Sequence, residues 1–280
     1  MNVLSFQSSV VYGHVGNCAA TLPLQRLGHE VWALDTVRLA HHPAHGAFRG
    51  RVTDEAELAE QLAALDALGA LARCGAVISG YLGAAENGAV ALDAVRRVKA
   101  RNSRALYALD PVMGERGRGF YVRAGIMEFF RDRALAMADI VLPNVFELEQ
   151  LSGRPCASRE DALAAARRLL RAGPRLVVVK GIETARGLGV LAVERHRAWF
   201  GETPRLDLPA HGAGDTFAAF FLGHYLRGAP PGRALSRALG AQYALMRASA
   251  RRGGAGDLAL VETQDEWMRP KALFRARALG

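Results

Sequence analysis

Lysine, cysteine and long apolar runs are all scarce in this chain of 280 residues. Only Lys99, Lys180 and Lys271 are lysines, and the other 33 of its 36 basic residues are arginines. The arginines are dispersed, with no long like-charged block. A formal net charge of +9 would otherwise point to nucleic acid. Here it reads as a compositional bias, and no nucleic-acid partner is expected. The three cysteines, Cys18, Cys74 and Cys156, lie far apart and form no C-x-x-C pair. That excludes a disulfide framework or a zinc site and suits a reducing cytoplasm. No window is apolar for long enough to span a bilayer. The opening residues, with Val3-Leu4-Ser5-Phe6, carry no export signal, so neither a membrane nor a secreted protein is expected. Also missing are a G-x-x-x-x-G-K-[ST] loop, a G-x-S-x-G elbow, internal repeats and a Ser/Gly linker. One domain over residues 1–280 is therefore expected.

What is present is ample core. Half the residues are hydrophobic and 22% are charged. Short apolar runs at Val3–Gln7, Val31–Asp35, Ala76–Gly80, Ala105–Asp110, Ile140–Pro143 and Leu176–Lys180 read as buried strands. Helical periodicity falls between them. Glu55–Leu71 places Leu58, Leu62, Leu65 and Leu68 on one face, and Glu86–Arg101 does the same with Val90, Val95 and Val98. Ser158 reads as the N-cap of a helix running to Arg171, stopped by Gly173-Pro174. Leu188–Glu194 and Arg197–Phe200 read as a meander. Helices are expected at Ala213–Arg227 and Gly232–Ala248, then a flexible Arg251–Gly254 loop and a final strand at Leu258–Glu262. Alternating strand and helix predict an α/β fold, a mainly parallel sheet with helices on both faces. Ligands of such sheets bind beyond the carboxyl ends of the strands.

The informative residues follow the strands. Gly212-Ala213-Gly214-Asp215 opens a helix. Its glycines permit a tight turn, and the helix start offers free amides for an anion. Taken alone, Asp215 reads first as a complement to the helix dipole; as part of a site it can be a base for a substrate hydroxyl. Asp110-Pro111-Val112-Met113-Gly114 ends a strand, as a turn or as a crevice carboxylate. Pro143-Asn144 leads into a helix; Asn144 is a natural cap, and Glu147 can hold a magnesium-bound water. Gln7–Asn17 and Ser79–Gly83 are small, polar segments after strands, and Tyr81 can stack on a flat ring or simply pack. Gly187–Ala192 fits G-x-G-x-x-A but leads into a strand, so it lacks the context of a dinucleotide site. His41, His42 and His45 have no carboxylate near them in sequence and are not expected to bind metal.

In this order the motifs resemble the pyridoxal kinases of the ribokinase superfamily. The resemblance rests on Q-S-x-V-V-Y-G-H-x-G-N at Gln7–Asn17, S-G-Y-L-G at Ser79–Gly83, D-P-V-M-G at Asp110–Gly114, P-N-x-x-E-L-E ending at Glu149, and G-x-G-D at Gly212–Asp215. It implies a ribokinase-like three-layer sandwich that phosphorylates the 5′-hydroxymethyl group of pyridoxal with ATP. Asp215 would be the base, and the amides of Gly212, Ala213 and Gly214 would stabilise the phosphoryl group. Ser8, His42 and Tyr81 would bind substrate, His42 standing in for a Thr-Gln pair that is Pro43-Ala44 here. Asp110, Leu142, Glu147, Lys180, Thr203, Pro204, Arg205 and Leu206 match ATP-site positions. Mg²⁺ would be held through water at Glu147, with Asp110 a further candidate ligand and K⁺ a further candidate ion. Met113–Tyr121, with Arg116 and Arg118, matches a mobile segment over the phosphates. Gly181–Gly189 and Leu206–Pro209 look shorter than in relatives. A homodimer is implied. The alternatives are a hydroxymethylpyrimidine or sugar kinase of the same superfamily, and, remotely, a silent ligand- or nucleic-acid-binding protein.

Overall fold

The computed structural model describes residues 1–206, 208–253 and 256–279. In chain order the first half holds β1 (Asn2–Tyr12), α1 (Asn17–Arg26), β2 (Glu30–His41), β3 (Gly50–Val52), α2 (Glu55–Ala67), β4 (Cys74–Ser79), α3 (Ala85–Arg101), β5 (Leu106–Leu109), the hairpin β6 (Gly114–Glu115) and β7 (Gly119–Phe120), and two short helices α4 (Ile126–Phe129) and α5 (Leu135–Met137). The second half holds β8 (Ile140–Val141), α6 (Val145–Ser152), α7 (Arg159–Leu170), β9 (Leu176–Thr184), β10 (Gly187–Val193), β11 (Ala198–Pro204), α8 (Ala213–Leu226), α9 (Pro231–Arg251), α10 (Gln264–Met268) and β12 (Arg277–Leu279).

One sheet runs β12-β11-β10-β9-β8-β5-β4-β1-β2-β3. Pairing is parallel from β2 through β1, β4, β5 and β8 to β9. It turns antiparallel at both edges, with β3 on one side and β10, β11 and β12 on the other. The expected α/β sandwich with a mainly parallel sheet is thus found, meander included.

Side-chain alternation makes the three layers. Leu4 and Phe6 of β1, Val77 of β4 and Val177 and Val179 of β9 face one core, with α2, α3, α6 and α7. Their neighbours Val3, Ala76, Ile78, Leu176 and Val178 face the other, under α1, α8 and α9. These side chains are essentially unexposed on both faces. Each such burial contributes ~1.5–3 kcal/mol, so a one-residue slip would exchange the faces without exposing the strand. Caps and turns therefore matter for register. Asn144 and Ser158 both form capping boxes, with Glu147 and Asp161.

Some expectations are corrected. The Leu258–Glu262 segment is turn and coil, not a strand. Its backbone is satisfied by side chains: Ser249 Oγ accepts from the Ala259 N–H, and the Ala259 and Leu260 carbonyls accept from Thr263 and Trp267. These bonds take the place of a ladder at Ala259 and Leu260, and the last strand is β12. The first two strands run further than their apolar runs, to Tyr12 and His41. Helix α2 stops at Ala67, because Gly69 takes a left-handed conformation and starts a 3₁₀ turn. Helix α9 continues through Arg251, which pairs with Glu266; Gly254 of the expected loop and Asp207 of the Leu206–Pro209 segment lie outside the described residues.

Candidate active site

The strand ends that carry the motifs meet along one rim. At β1, much of the Gln7–Asn17 motif proves to be scaffold. Buried Asn17 donates to the Gln7 and Leu34 carbonyls and to Asp35, and accepts from Ser5, which in turn accepts from Gln7. This closed network joins β1 to β2 at the mouth. Ser8 is buried, and among the described residues its hydroxyl has no hydrogen-bond partner. It lies against Gly16, whose φ of +54° and approach to the Ser8 carbonyl leave no room for a Cβ.

Gly16 also reaches the catalytic candidate. Its N–H donates to Asp215 Oδ2 at 2.8 Å. Gly212, the cap of α8, has φ +82°, and a Cβ there would collide with the His14 carbonyl. The N-terminal loop and the glycine turn therefore interlock, and only glycine fits where they cross. Burial raises the Asp215 carboxyl to about 6, with Asp110 adding to the rise and the Gly16 N–H and Lys180 opposing it. A carboxylate with that value at a helix start is suited to accept a proton near neutral pH.

The second and third motifs dock on each other. Glu147 Oε1 accepts from the Met113 N–H and Oε2 from the Asn144 N–H, while the Asn144 amide donates to the Gly114 carbonyl. Burial pushes Glu147 up to about 8. Asp110 is 1% exposed, and both its oxygens accept from Lys180 Nζ, at 2.8 and 2.7 Å. Burial alone would lower the Lys180 ammonium; Asp110, Glu147 and Asp215 outweigh it and raise it. Leu142 is wholly buried in the core, so only its backbone can face a ligand.

A cavity of about 220 Å³ continues from Lys180 between β10, β11 and α9. Thr203, Pro204 and Leu206 line it, as do Ala213 and Gly214 of the turn. Arg205 is absent from the lining and pairs with Glu183 at 3.3 Å. Its apolar wall includes Leu188, Phe217, Tyr243 and Met246, which the motifs missed. Tyr243 and Met246 lie on α9, read from the sequence only as a helix over Gly232–Ala248. A larger groove of about 750 Å³, beside Trp199 and Arg233, carries none of the motifs.

Imidazoles cluster where the β2 end meets the glycine turn. His42 caps the 3₁₀ turn Pro43–His45 and stacks on His211, with centroids 4.3 Å apart. Burial, helped by His211 and Arg118, lowers His42 to about 4, so it is neutral at pH 7. His45 meets Asp257 at 3.2 Å, which joins the β2 end to the segment after α9. His211 was legible only as the residue before the glycine turn. Among the described residues no group of three or more His, Cys, Asp and Glu side chains is placed to hold a metal ion. Tyr81 is half-buried beyond β4, where burial raises its phenol. Arg116 is engaged by Glu149 and the Cys156 carbonyl, and Arg118 lies over the Tyr121 ring.

The sheet and its glycine turn define the ribokinase-like fold. Residues 50–257 match the family described as phosphomethylpyrimidine kinase. The pyridoxal kinase PdxY of Rubrobacter xylanophilus is 46% identical over 286 residues, which span 100% of this chain and 98% of that protein. Its counterpart in Granulibacter bethesdensis is 41% identical, across 99% of both chains. A solved pyridoxal kinase of Leishmania donovani, in complex with ADP and pyridoxamine, superposes with a TM-score of 0.94 at 28% identity, covering 100% of this chain and 99% of that one. The chain belongs to the pyridoxal kinase family.

Proposed function

We propose that this chain transfers the γ-phosphoryl group of ATP to the 5′-hydroxymethyl group of pyridoxal, giving pyridoxal 5′-phosphate. The observation that carries the reading is Asp215, raised to about 6 and aimed by the Gly16 amide at the start of α8. Asp215 takes the hydroxyl proton as the oxygen attacks phosphorus. The amides of Gly212 and Gly214 receive the phosphoryl oxygens; the Ala213 N–H, expected to join them, donates to the Ala210 carbonyl at 3.2 Å. Ser8, His42 and Tyr81 hold the pyridine ring; the free Ser8 hydroxyl and the neutral, stacked His42 ring support those roles. The cavity behind Lys180 takes the nucleotide, with Thr203, Pro204 and Leu206 beside the base and Arg205 outside the wall. Asp110 and Leu142 do not line this cavity; Asp110 bears on it through Lys180, and Leu142 has only its backbone to offer.

Mg²⁺ fits the Glu147 carboxylate together with phosphate oxygens, whereas Asp110, the further candidate ligand, has both oxygens taken by Lys180. Both Glu147 oxygens already accept amide hydrogens, so Glu147 would reach the ion through water. When bound, the ion offsets phosphate charge. K⁺ fits poorly, because Lys180 occupies both oxygens of Asp110 and Leu142 offers no side-chain oxygen. A homodimer belongs to the same reading, supported by exposed Val11, Tyr12 and Phe48. So does a cytoplasmic location, supported by free Cys18, Cys74 and Cys156.

The match to the phosphomethylpyrimidine kinase family favours one second reading, a hydroxymethylpyrimidine acceptor. A phosphorylation panel with Mg²⁺-ATP tests both. Pyridoxal, pyridoxine and pyridoxamine should be phosphorylated in preference to hydroxymethylpyrimidine. A preference for the pyrimidine, or no product from any vitamer, would overturn the first reading.

A further inference from the structure

Three carboxylates lie around the phosphate end of the site: Asp110, Glu147 and Asp215. Lys180 is the cation that acts on each of them. Its ammonium grips both oxygens of Asp110, and its side chain is only 12% exposed. The residue is anchored by its backbone, since its N–H donates to the Pro143 carbonyl at 2.8 Å and it bridges to Asn144 beyond the end of β8. On its other side, Nζ lies 3.8 Å from the Cβ position of Gly214. One ammonium thus stands between the Asp110 strand end and the glycine turn.

We propose that Lys180 is a tethered monovalent cation that takes the place of a free K⁺, so that phosphotransfer by this chain needs no added monovalent ion. The statement rests on the phosphotransfer reading above. The residue type supports it. The chain uses arginine 33 times and lysine three times, yet lysine stands here. A guanidinium is a broad planar fork, whereas an ammonium is a compact point charge close to K⁺ in size. Only the compact head can sit on Asp110 and still leave the Gly214 side open to a phosphate. Tethering fixes its occupancy at one and its position to the strand end. Removing the head leaves Asp110 buried with no partner, a costly state that a small cation can relieve.

The test compares K⁺, NH₄⁺, Na⁺ and tetramethylammonium chlorides at constant ionic strength, with Mg²⁺ held fixed. Wild-type kcat and ADP affinity, the latter by calorimetry, should agree within about twofold across the four salts. Lys180→Met should lose about a hundredfold or more in tetramethylammonium. K⁺ or NH₄⁺, but not tetramethylammonium, should restore at least tenfold of its ADP affinity and raise its melting temperature. Wild type stimulated tenfold by K⁺ would overturn the proposal even if the variant does not fold. A folded variant indifferent to K⁺ and NH₄⁺ would overturn it as well. Calorimetry and melting read the cation effect without turnover. A chain inactive on every vitamer would therefore count against the proposed activity and leave this inference separately decided.

Discussion

Asp215→Asn should separate activity from stability with opposite signs. The substitution keeps the side-chain shape, and the amide oxygen can still accept from Gly16, but the base is gone. General-base catalysis of this kind is worth about 10²–10⁴ in rate, so kcat should fall by that much with little change in KM. Stability should move the other way. The carboxyl rises from 3.8 to about 6 on folding, chiefly through burial, so the folded chain favours the protonated form. Between those values the folded state holds more protons than the unfolded one, and wild-type stability falls as pH rises through that window. Above it the deficit is constant, at most ~3 kcal/mol at about 1.4 kcal/mol per unit. Asparagine has no such dependence. The variant should melt roughly 2–6 °C above wild type at pH 8, with the gap closing toward pH 4. Wild-type kcat/KM should lose a factor of ten per unit as pH drops below about 6. Differential scanning fluorimetry across pH and a coupled ADP assay suffice. Turnover within tenfold of wild type, or equal melting at pH 8, would refute the reasoning.

Gly212→Ala forces a side chain into the His14 carbonyl at a positive φ, so it should cost about 2 kcal/mol or more and abolish turnover; a soluble variant with normal kcat would count against the interlocked loops. Asn17→Ala strips partners from a buried network and should cost roughly 2–4 kcal/mol by urea unfolding. A cost below about 1 kcal/mol would mean the network is replaceable by water. Ile78→Ala, at a fully buried strand position, should cost about 2–5 kcal/mol and leave the KM for ATP unchanged, a result that separates core from site.

Much of this architecture was legible because apolar alternation, caps and glycine turns are local signals. Ser158 and Asn144 announced their helices by residue type, and both cap as expected. The ends of β1 and β2 were not legible beyond Gln7 and Asp35. There the backbone keeps pairing, with a register shift at Gln7/Ser8, while the strands leave the two cores and lose their apolar code. Leu258–Glu262 misled for the converse reason: Leu258, Ala259 and Leu260 pack inward while side chains take backbone bonds there. Site chemistry divided similarly. Asp215 stood out beside its glycines. Asp110 and Lys180, 70 residues apart, meet only through sheet order, and the stacking of His211 on His42 needs the β2 end folded over the turn. The cavity wall from α9 carried no distinguishing signal, since a helix face toward a cavity looks like one toward a core.

The crossing of Gly16 and Gly212 has a consequence for descent. One residue both packs against the loop that carries Ser8 and, through its amide, tempers the rise that burial gives the Asp215 carboxyl. A lineage that reshapes the first loop to admit a different alcohol therefore also retunes its base. On the proposed roles of Ser8 and Asp215, acceptor choice and working pH would then change together through this one contact.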